Sequence, residues 1–352
     1  MRRIEGIDLA RGLAVLGMVT AHVGPQWWLL EVADGRSAAL FVLLSGVSVA
    51  LMSGGAEPVA GIRRVQARTR ILVRAFVLLA LGVVLAALNT PVVVILPTYA
   101  LLFAVAACLL RTSPARLLVA AGLVVLIAPQ LRPLLADLVQ PTWNGGGIVD
   151  LVLGEYYPAL VWIAYLLVGL AVTRADLGSP VTRRRLLIGG AAAAVLGYGS
   201  AAVLTRVLPV TTPVLPGVTL EQLVTSEPHS SSTPEVLGNI GVGLLTLVAC
   251  LWLAGRLPRA TAPLAATGQL ALTAYAGHIL VIWFAGAGVV WEPTAVVWLV
   301  FLVVIVAACW DWRRRFGRGP AERVLHRIAQ RSADIAPDVL PPVTGRSGAD
   351  PT

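Results

Sequence analysis

The stretch GLAVLGMVTAHVGPQWWLL, residues 12–30, carries no acidic residue and no arginine. Its length is close to the run of about 20 apolar residues that an α-helix needs to cross a bilayer. Nine further apolar runs follow it along the chain, at residues 37–53, 71–88, 92–110, 117–135, 159–173, 186–208, 236–254, 264–286 and 294–312. The sequence therefore predicts an all-α, polytopic membrane protein with about ten transmembrane helices.

The composition of the 352-residue chain excludes several classes of protein. Hydrophobic residues make up 57% of it and charged residues 13%, and the mean hydropathy is +0.83. A soluble domain carries about 25% charged residues, so a soluble enzyme, a disordered chain and a nucleic-acid-binding protein are excluded. Every basic residue is arginine, and the Ala-, Val- and Gly-rich usage is typical of a bacterial genome of high GC content.

The arginines behind the net charge of +9 lie mostly on one side of the predicted bundle. Cytoplasmic segments are enriched in Lys and Arg, so these segments predict that both termini are inside. The arginines of the inward segments are Arg2, Arg3, Arg63, Arg64, Arg68, Arg70, Arg111, Arg116, Arg174, Arg183, Arg184, Arg185, Arg256, Arg259, Arg313, Arg314 and Arg315. Arg36, Arg132 and Arg206 fall in or near outward loops. We expect a multi-pass protein of the inner (plasma) membrane.

Ionisable residues within spans point to function, because a charge is costly in lipid and must face protein or water. Eight of the 18 acidic residues and three of the four histidines lie in the predicted outer half: His22, Glu31, Asp34, Asp150, Glu155, Glu221, Glu227, His229, Glu235, His278 and Glu292. We expect acid–base chemistry at this outer end. The cysteines lie in apolar runs without the spacing of a metal site, so we expect core thiols and no metal.

Arg11 and His22 are the most informative pair. Eleven residues correspond to three helical turns plus about 20°, so both side chains project from one helix face. Their separation along the axis is about 16 Å, which places Arg11 near the cytoplasmic mouth and His22 in the outer third. Asp8, three residues before Arg11, can pair with it. The pattern suits an anionic donor bound near the cytoplasm and proton transfer further out. Alternatively, Arg11 only contributes to the orientation of the protein in the membrane, and His22 is a buried histidine hydrogen-bonded to a neighbouring helix.

The outward segment SEPHSSSTPE, residues 226–235, runs directly into the eighth predicted span. Polar and small residues then follow at helical spacing, at Glu235, Asn239, Gly243 and Thr246. With His229 and Ser230, this stripe offers an imidazole, hydroxyls and a carboxylate, groups that hold a polyol acceptor. An N-cap at position 232 or 233, completed by Glu235, explains the same residues and is compatible with that role.

Three more outer residues are candidates for binding an acceptor. His278 shares a predicted face of the ninth span with three small residues, Thr267, Ala271 and Ala274, and such a face favours close helix packing. Asp34 and Glu155 lie in outward loops, and two tyrosines follow Glu155. Carboxylates beside aromatic rings suit a sugar or a lipid headgroup, although interfacial aromatics occur in any membrane protein.

Residues 8–22 resemble the arginine, ten residues, histidine signature of the acyltransferase-3 membrane proteins. The opening Ile7-Asp8…Arg11-Gly12 is similar to the catalytic domain of heparan-alpha-glucosaminide N-acetyltransferases. Ala33-Asp34 followed by FVLLSG at 41–46 is similar to that domain's second span. Further stretches resemble bacterial relatives with little assigned function, at residues 228–238, 268–275 and 316–322.

This resemblance implies transfer of an acyl group, usually acetyl, from cytoplasmic acetyl-CoA or another acyl-CoA to a hydroxyl or amine on the far side. Arg11, with Asp8, would hold the anionic donor, and His22 would be the general base. The glucosaminide enzymes carry a histidine in the loop after the first span, whereas residues 24–36 here contain none. That departure argues against N-acetylation of a hexosamine and leaves His22 or His229 as the catalytic base.

The chain thus divides into a transmembrane acyltransferase-like domain, a cytoplasmic amphipathic helix and a disordered tail, over residues 1–315, 316–331 and 332–352. The expected partners are membrane lipids and a saccharide or glycolipid acceptor of the cell envelope, and no nucleic acid. The alternative function is a transporter or flippase of a polar envelope precursor. The absence of internal sequence repeats counts against that alternative.

Overall fold

The computed structural model describes residues 4–28, 30–139, 147–209, 211–215 and 218–333. Fifteen helices and one two-stranded antiparallel sheet make up these ranges. The helices are α1 (Glu5–Val23), α2 (Arg36–Met52), α3 (Gly61–Ala86), α4 (Leu96–Ala106), α5 (Pro114–Val139), α6 (Gly147–Leu153), α7 (Ala159–Thr173), α8 (Pro180–Val207), α9 (Leu220–Val224), α10 (Thr233–Arg256), α11 (Pro258–Gln269), α12 (Ala271–Ala285), α13 (Gly288–Trp291), α14 (Ala295–Phe316) and α15 (Pro320–Ser332). A 3-10 turn at Glu31–Ala33 precedes α2, and the strands are β1 (Pro213–Leu215) and β2 (Val218–Thr219).

The predicted class, an all-α multi-pass membrane protein, is confirmed. Within the described ranges, seven helices are long and apolar enough to cross a membrane, or eight if α11 and α12 form one span. Two of the predicted runs, 92–110 and 159–173, form the shorter helices α4 and α7. The number of ten spans therefore stays a prediction.

Helix α1 lies at the centre of the bundle. It packs against α2, α10 and α11, while α2 packs on α7 and α8 packs on α10. The apolar window of α1 is 61% buried, whereas those of α8 and α14 are only 17% and 11% buried. Since apolar side chains at the periphery of a membrane protein face lipid, α8 and α14 form part of its outer wall.

Close contact between α1 and α11 depends on two glycines. A Cβ atom at Gly268 would lie 1.7 Å from the backbone oxygen of Asp8, and one at Gly12 would lie 2.1 Å from that of Leu264. Small residues allow helix backbones to approach closely, which is a main source of helix association in membranes. These glycines therefore determine where Asp8 and Arg11 lie along the helix axis relative to α11.

We expect Gly268→Leu to destabilise the protein by about 3 kcal/mol, because overpacking costs about 1–3 kcal/mol and here the clash is with backbone. The matched control is Gly122→Leu on α5, where an added Cβ meets no atom within 4 Å. Thermal unfolding in detergent measures both. Equal melting temperatures for the two variants would contradict the packing argument.

The first apolar run is displaced from its predicted position at 12–30. Helix α1 begins at Glu5 and ends at Val23, and the backbone of Gly24 is extended. Pro25 explains this end, because the residue before a proline is sterically driven out of the helical conformation. Both Arg11 and His22 nevertheless lie within α1, as the spacing predicts.

The ninth run, 264–286, is not one straight helix. It is bent by 71° at Leu270, between α11 and α12. The carboxylate of Glu322 accepts hydrogen bonds from the backbone N–H groups of Leu272 and Thr273, at 2.7 and 3.0 Å. These first N–H groups of α12 thereby gain a partner at the break. The predicted continuous face from Thr267 to His278 is therefore wrong.

Two further expectations concern the cysteines and the C-terminal part. Cys250 and Cys309 are buried as expected, but Cys108 is exposed, so that part of the prediction is wrong. Helix α15 packs on α3 and α12 and buries Leu325. Most of the predicted disordered tail, from residue 334 on, lies outside the described residues, and the domain division stays a prediction.

Candidate active site

Helix α1 holds the two main candidate residues near its opposite ends. Arg11 lies toward the predicted inner end of the bundle and His22 toward the predicted outer end. At 1.5 Å per residue, their Cα atoms are separated by about 16 Å along the axis. The polar groups around them form two separate sites, an inner one at Arg11 and an outer one at His22.

At the inner site Arg11 is held by two side chains. Its Nη1 contacts Oδ1 of Asp8 at 3.1 Å, and its Nη2 donates a hydrogen bond of 2.7 Å to Oγ of Ser48 on α2. Asp8 is buried, with 2% of its surface exposed, while the Arg11 side chain retains 22%. The predicted pairing of Asp8 with Arg11 is therefore present. It orients the guanidinium and leaves part of it accessible.

Arg11 lines a cavity of about 360 Å³ between α1, α2, α3, α4, α11, α12 and α15. Arg74 of α3 and Glu322 of α15 also line it, while most of the other lining residues are apolar, including Phe41, Leu44, Leu51, Met52, Leu78, Leu96, Phe103, Leu272 and Leu325. Two guanidinium groups in an apolar cavity favour binding of an anion that carries an apolar arm.

Arg74 is a site residue that was not predicted, although its position in the sequence carries a signal. Arg74 lies inside the apolar run 71–88, and an arginine in a span is a functional candidate by default. The apolar residues of the run predict a membrane helix and give no indication of what its single arginine does. In the structure Arg74 and Arg11, from different helices, line the same cavity.

At the outer site His22 meets His278. The Nδ1 atom of His22 lies 3.0 Å from Nε2 of His278, and the rings are stacked with centroids 5.3 Å apart. His278 is 1% exposed, and Tyr275, one helical turn before it, contacts it edge-on. The two histidines lie 256 positions apart in the chain, so their contact could not be derived from the sequence.

The surroundings of His278 indicate which nitrogen carries its proton. Its Nδ1 atom lies beside the backbone carbonyls of Ala274 and Tyr275, although it makes no well-formed hydrogen bond within the described ranges. A carbonyl oxygen repels a lone pair, so Nδ1 of His278 carries the hydrogen and Nε2 accepts from Nδ1–H of His22. His22 then has an unprotonated Nε2. That is the form a general base needs.

His229, the other candidate base, has both ring nitrogens occupied. Its Nε2 lies 3.3 Å from Oδ1 of Asp34, and its Nδ1 lies 3.3 Å from the backbone oxygen of Tyr156. Both partners accept hydrogen bonds, so this geometry favours the imidazolium form, in which both nitrogens carry hydrogen. Its ring is also stacked against Trp162. This arrangement suits a binding cation better than a base.

The segment that presents His229 is fixed by Glu235. The Glu235 carboxylate accepts hydrogen bonds from the backbone N–H groups of His229 and Ser231, at 3.0 and 2.6 Å, and from Oγ of Ser230 at 3.1 Å. His229 and Ser231 both have positive φ angles, 63° and 55°, which are unfavourable for residues other than glycine. The carboxylate stabilises this strained turn.

The N-cap predicted for this segment is present at Ser232, whose own backbone N–H donates to Oγ of Ser230 and not to the Glu235 side chain. The side chain of Ser232 accepts a hydrogen bond from the backbone N–H of Glu235 at 3.1 Å, which starts α10. One turn further along α10, the Asn239 side chain donates a hydrogen bond of 3.2 Å to the Glu235 carboxylate. It also accepts a hydrogen bond of 2.6 Å from the hydroxyl of Tyr198. Cap and polar stripe therefore coexist.

The pH dependence of the His229–Asp34 pair follows from its environment. Burial lowers the pKa of His229, but its hydrogen bond to Asp34 and the charges of Asp34 and Glu235 raise it above the ordinary value. Because the pKa of His229 is higher in the folded protein than in the unfolded chain, the His229–Asp34 pair stabilises the fold. This stabilisation is complete below the ordinary histidine pKa of about 6.5 and is lost as pH rises through the raised value.

We therefore expect Asp34→Asn to lower the melting temperature most between about pH 5 and pH 6, where Asp34 is ionised and His229 is protonated, and progressively less at higher pH. The Asp34 side chain is 47% exposed, so solvent limits the difference to less than about 1 kcal/mol. Thermal unfolding of both proteins across this pH range checks the prediction. A difference that grows with rising pH would contradict it.

The remaining predicted site residues fall into two groups. His278, Ser230, Glu235 and Asn239 are joined by hydrogen bonds to other candidates, and Asp34 lies within electrostatic reach of both His22 and His229. Glu155 is exposed at the surface. Within the described ranges, no three His, Cys, Asp or Glu side chains could together hold a metal ion. The roles of these residues stay predictions.

Comparison with known families supports the resemblance carried by residues 7–22. Residues 3–203 match the family described as heparan-alpha-glucosaminide N-acetyltransferase, catalytic. Residues 179–332 match the family described as protein of unknown function (DUF418). None of the curated proteins compared with the chain matches it. Because the first match spans more than half of the sequence and includes Arg11, His22 and Asp34, the chain belongs to the heparan-alpha-glucosaminide N-acetyltransferase catalytic family and is an acetyltransferase-like, multi-pass membrane protein.

Proposed function

We propose that the protein transfers an acyl group, acetyl in the simplest case, from cytoplasmic acyl-CoA to a hydroxyl or amine at the outer end of the bundle. One observation carries this proposal. A single central helix, α1, presents a cation-lined cavity near one end and, near the other, a histidine whose Nδ1 lies 3.0 Å from the Nε2 of a second histidine. Membership of an acetyltransferase family supports the same reaction.

Acyl-CoA suits the inner cavity by charge and shape. Guanidinium groups bind phosphates with strong, charge-assisted hydrogen bonds, and both Arg11 and Arg74 line the cavity. The apolar residues there suit the uncharged pantetheine arm. That arm is a linear chain, so it can carry the thioester from the phosphate-binding arginines toward His22.

The proposed reaction is a direct acyl transfer. Nε2 of His22 takes the proton from the acceptor O–H or N–H group while the acceptor atom attacks the thioester carbonyl. The new C–O or C–N bond forms, the C–S bond breaks, and the CoA thiolate takes the proton back from His22. His278 accepts the Nδ1–H of His22 throughout and so acts as a positioning residue for the basic tautomer.

The acceptor we propose is a saccharide or glycolipid of the bacterial cell envelope, presented outside the inner membrane. Its polar groups would meet the charged and hydroxyl groups fixed around Glu235, including the His229 imidazolium and Ser230. Asp34, half exposed beside His229, adds a carboxylate that can accept hydrogen bonds from a polyol.

The test is a comparison of envelope extracts from cells with and without the gene. Mass spectrometry of glycolipids and saccharides is expected to show a species one acyl group heavier only when the gene is present. Identical extracts would contradict the proposal. A second test measures acetyl-CoA binding to the purified protein. Binding is expected if the protein is an acyltransferase and not if it is a transporter or flippase, since only the enzyme needs that donor.

A further inference from the structure

A groove of about 320 Å³ lies between α12 and α14, on the side of α12 that the inner cavity does not occupy. Val281 of α12 and Val300 and Val304 of α14 line it, and each has half or more of its surface exposed. Helix α14 is the least buried of the membrane-spanning helices in the described ranges. The groove therefore opens sideways toward the hydrocarbon of the bilayer.

The lining of the groove selects an apolar occupant. Apart from Thr273, His278 and Cys309, every residue that lines it is glycine, alanine or a larger apolar residue. A void in hydrocarbon loses dispersion contacts along its walls, so such a groove is filled by a lipid chain. At its outer end, the indole N–H of Trp298 donates a 3.0 Å hydrogen bond to Thr20 and ties α14 to α1.

The floor of the groove connects it with the outer site. His278 lines the groove and is also the residue whose Nε2 contacts His22. Its Nδ1 makes no well-formed hydrogen bond within the described ranges, which is costly in a medium without water. His278 therefore joins a groove that opens toward the bilayer to the histidine pair of the outer site.

We propose that the α12–α14 groove binds one hydrocarbon chain of a lipid-borne acceptor, which enters sideways from the bilayer and presents its hydroxyl or amine to His22 and His278. This rests on the proposed acyl transfer and narrows its acceptor to a molecule with a long alkyl or prenyl chain. The groove would bind the hydrocarbon chain, and the His22–His278 pair would take the proton from the hydroxyl or amine.

Gly277 offers a clean way to fill the groove. It lines the groove, and an added Cβ there meets no atom within 4 Å, so Gly277→Phe adds a ring at the groove without a clash at its Cβ. The matched control is Gly122→Phe on α5, which has equally open surroundings and lies outside the groove. Both variants add the same side chain to a helix at a position where the Cβ has room.

The first measurement is photolabelling of the full-length protein in liposomes with a long-chain alcohol that carries a diazirine in its chain. Labelled peptides are expected from α12 and α14 in the wild-type protein and in Gly122→Phe. In Gly277→Phe the yield of these labelled peptides is expected to fall about tenfold. A tenfold loss of affinity corresponds to about 1.4 kcal/mol of binding free energy. Equal labelling of α12 and α14 in all three proteins would overturn the proposal.

The second measurement compares acetyl transfer to the same long-chain alcohol and to glycerol, which has no chain. Gly277→Phe is expected to slow transfer to the alcohol about tenfold and to leave transfer to glycerol unchanged. An equal loss with both acceptors would overturn the groove as an acceptor site. If the wild-type protein transfers acetyl to neither, the proposed function fails, while the labelling result still decides whether the groove binds the chain.

Discussion

Replacing His22 by Ala is expected to lower the rate of acetyl transfer by about 10²–10⁴-fold, the usual contribution of a general base. The reason is structural. His22 has a ring nitrogen free to take a proton, and its other nitrogen is held by His278 at 3.0 Å. Since His22 lies near the opposite end of α1 from the Arg11 cavity, donor binding should not change. Steady-state kinetics together with acetyl-CoA binding measure the two effects separately.

His229→Ala is the matched variant, because it removes the other outer histidine that was a candidate base. Both nitrogens of His229 face acceptor oxygens, so we expect its loss to raise KM for the acceptor while kcat stays within about tenfold of wild type. If instead His229→Ala abolishes turnover and His22→Ala retains it, the roles assigned to the two histidines are reversed.

Removing either cavity arginine is expected to weaken acetyl-CoA binding by about ten- to a hundredfold, since a hydrogen bond to a charged group contributes about 1.5–3 kcal/mol. Arg74→Gln tests one of them directly. Arg11 must be tested together with its partner, as Asp8→Asn with Arg11→Gln. Arg11→Gln alone would remove the guanidinium that contacts the buried Asp8 carboxylate, and breaking a buried ion pair is itself destabilising.

The control for the arginine variants is Arg64→Gln, an exposed residue of α3 that does not line the cavity. Isothermal titration of the purified proteins with acetyl-CoA provides the affinities. If Arg64→Gln weakens binding as much as Arg74→Gln does, the attraction is a general effect of the basic surface and the cavity is not the donor site.

The sequence was sufficient for features that depend on one helix. Apolar runs predicted the membrane helices, and the eleven-residue spacing correctly placed Arg11 and His22 on α1. The polar stripe that begins at Glu235 and Asn239 was also placed correctly, because both residues lie within α10. Periodicity carries such information because helix geometry is fixed locally.

Features that depend on distant partners were not predictable. The bend at Leu270 is stabilised by Glu322, about fifty positions further along the chain, so the apolar run gives no sign of it. The His22–His278 contact and the joint cavity of Arg11 and Arg74 likewise bring together residues from separate helices. Pairing between helices is set by packing, which a single sequence does not reveal.

The central claim is that an acyl group moves from a donor on the inner side to an acceptor at His22. Sealed vesicles from cells that carry the gene, loaded inside with acetyl-labelled acetyl-CoA and keeping the native orientation, test it most directly. With the wild-type protein, label is expected to appear on lipids or saccharides of the outer face, and with His22→Ala it should not. Label that appears equally with His22→Ala, or fails to appear with the wild-type protein, would contradict the claim.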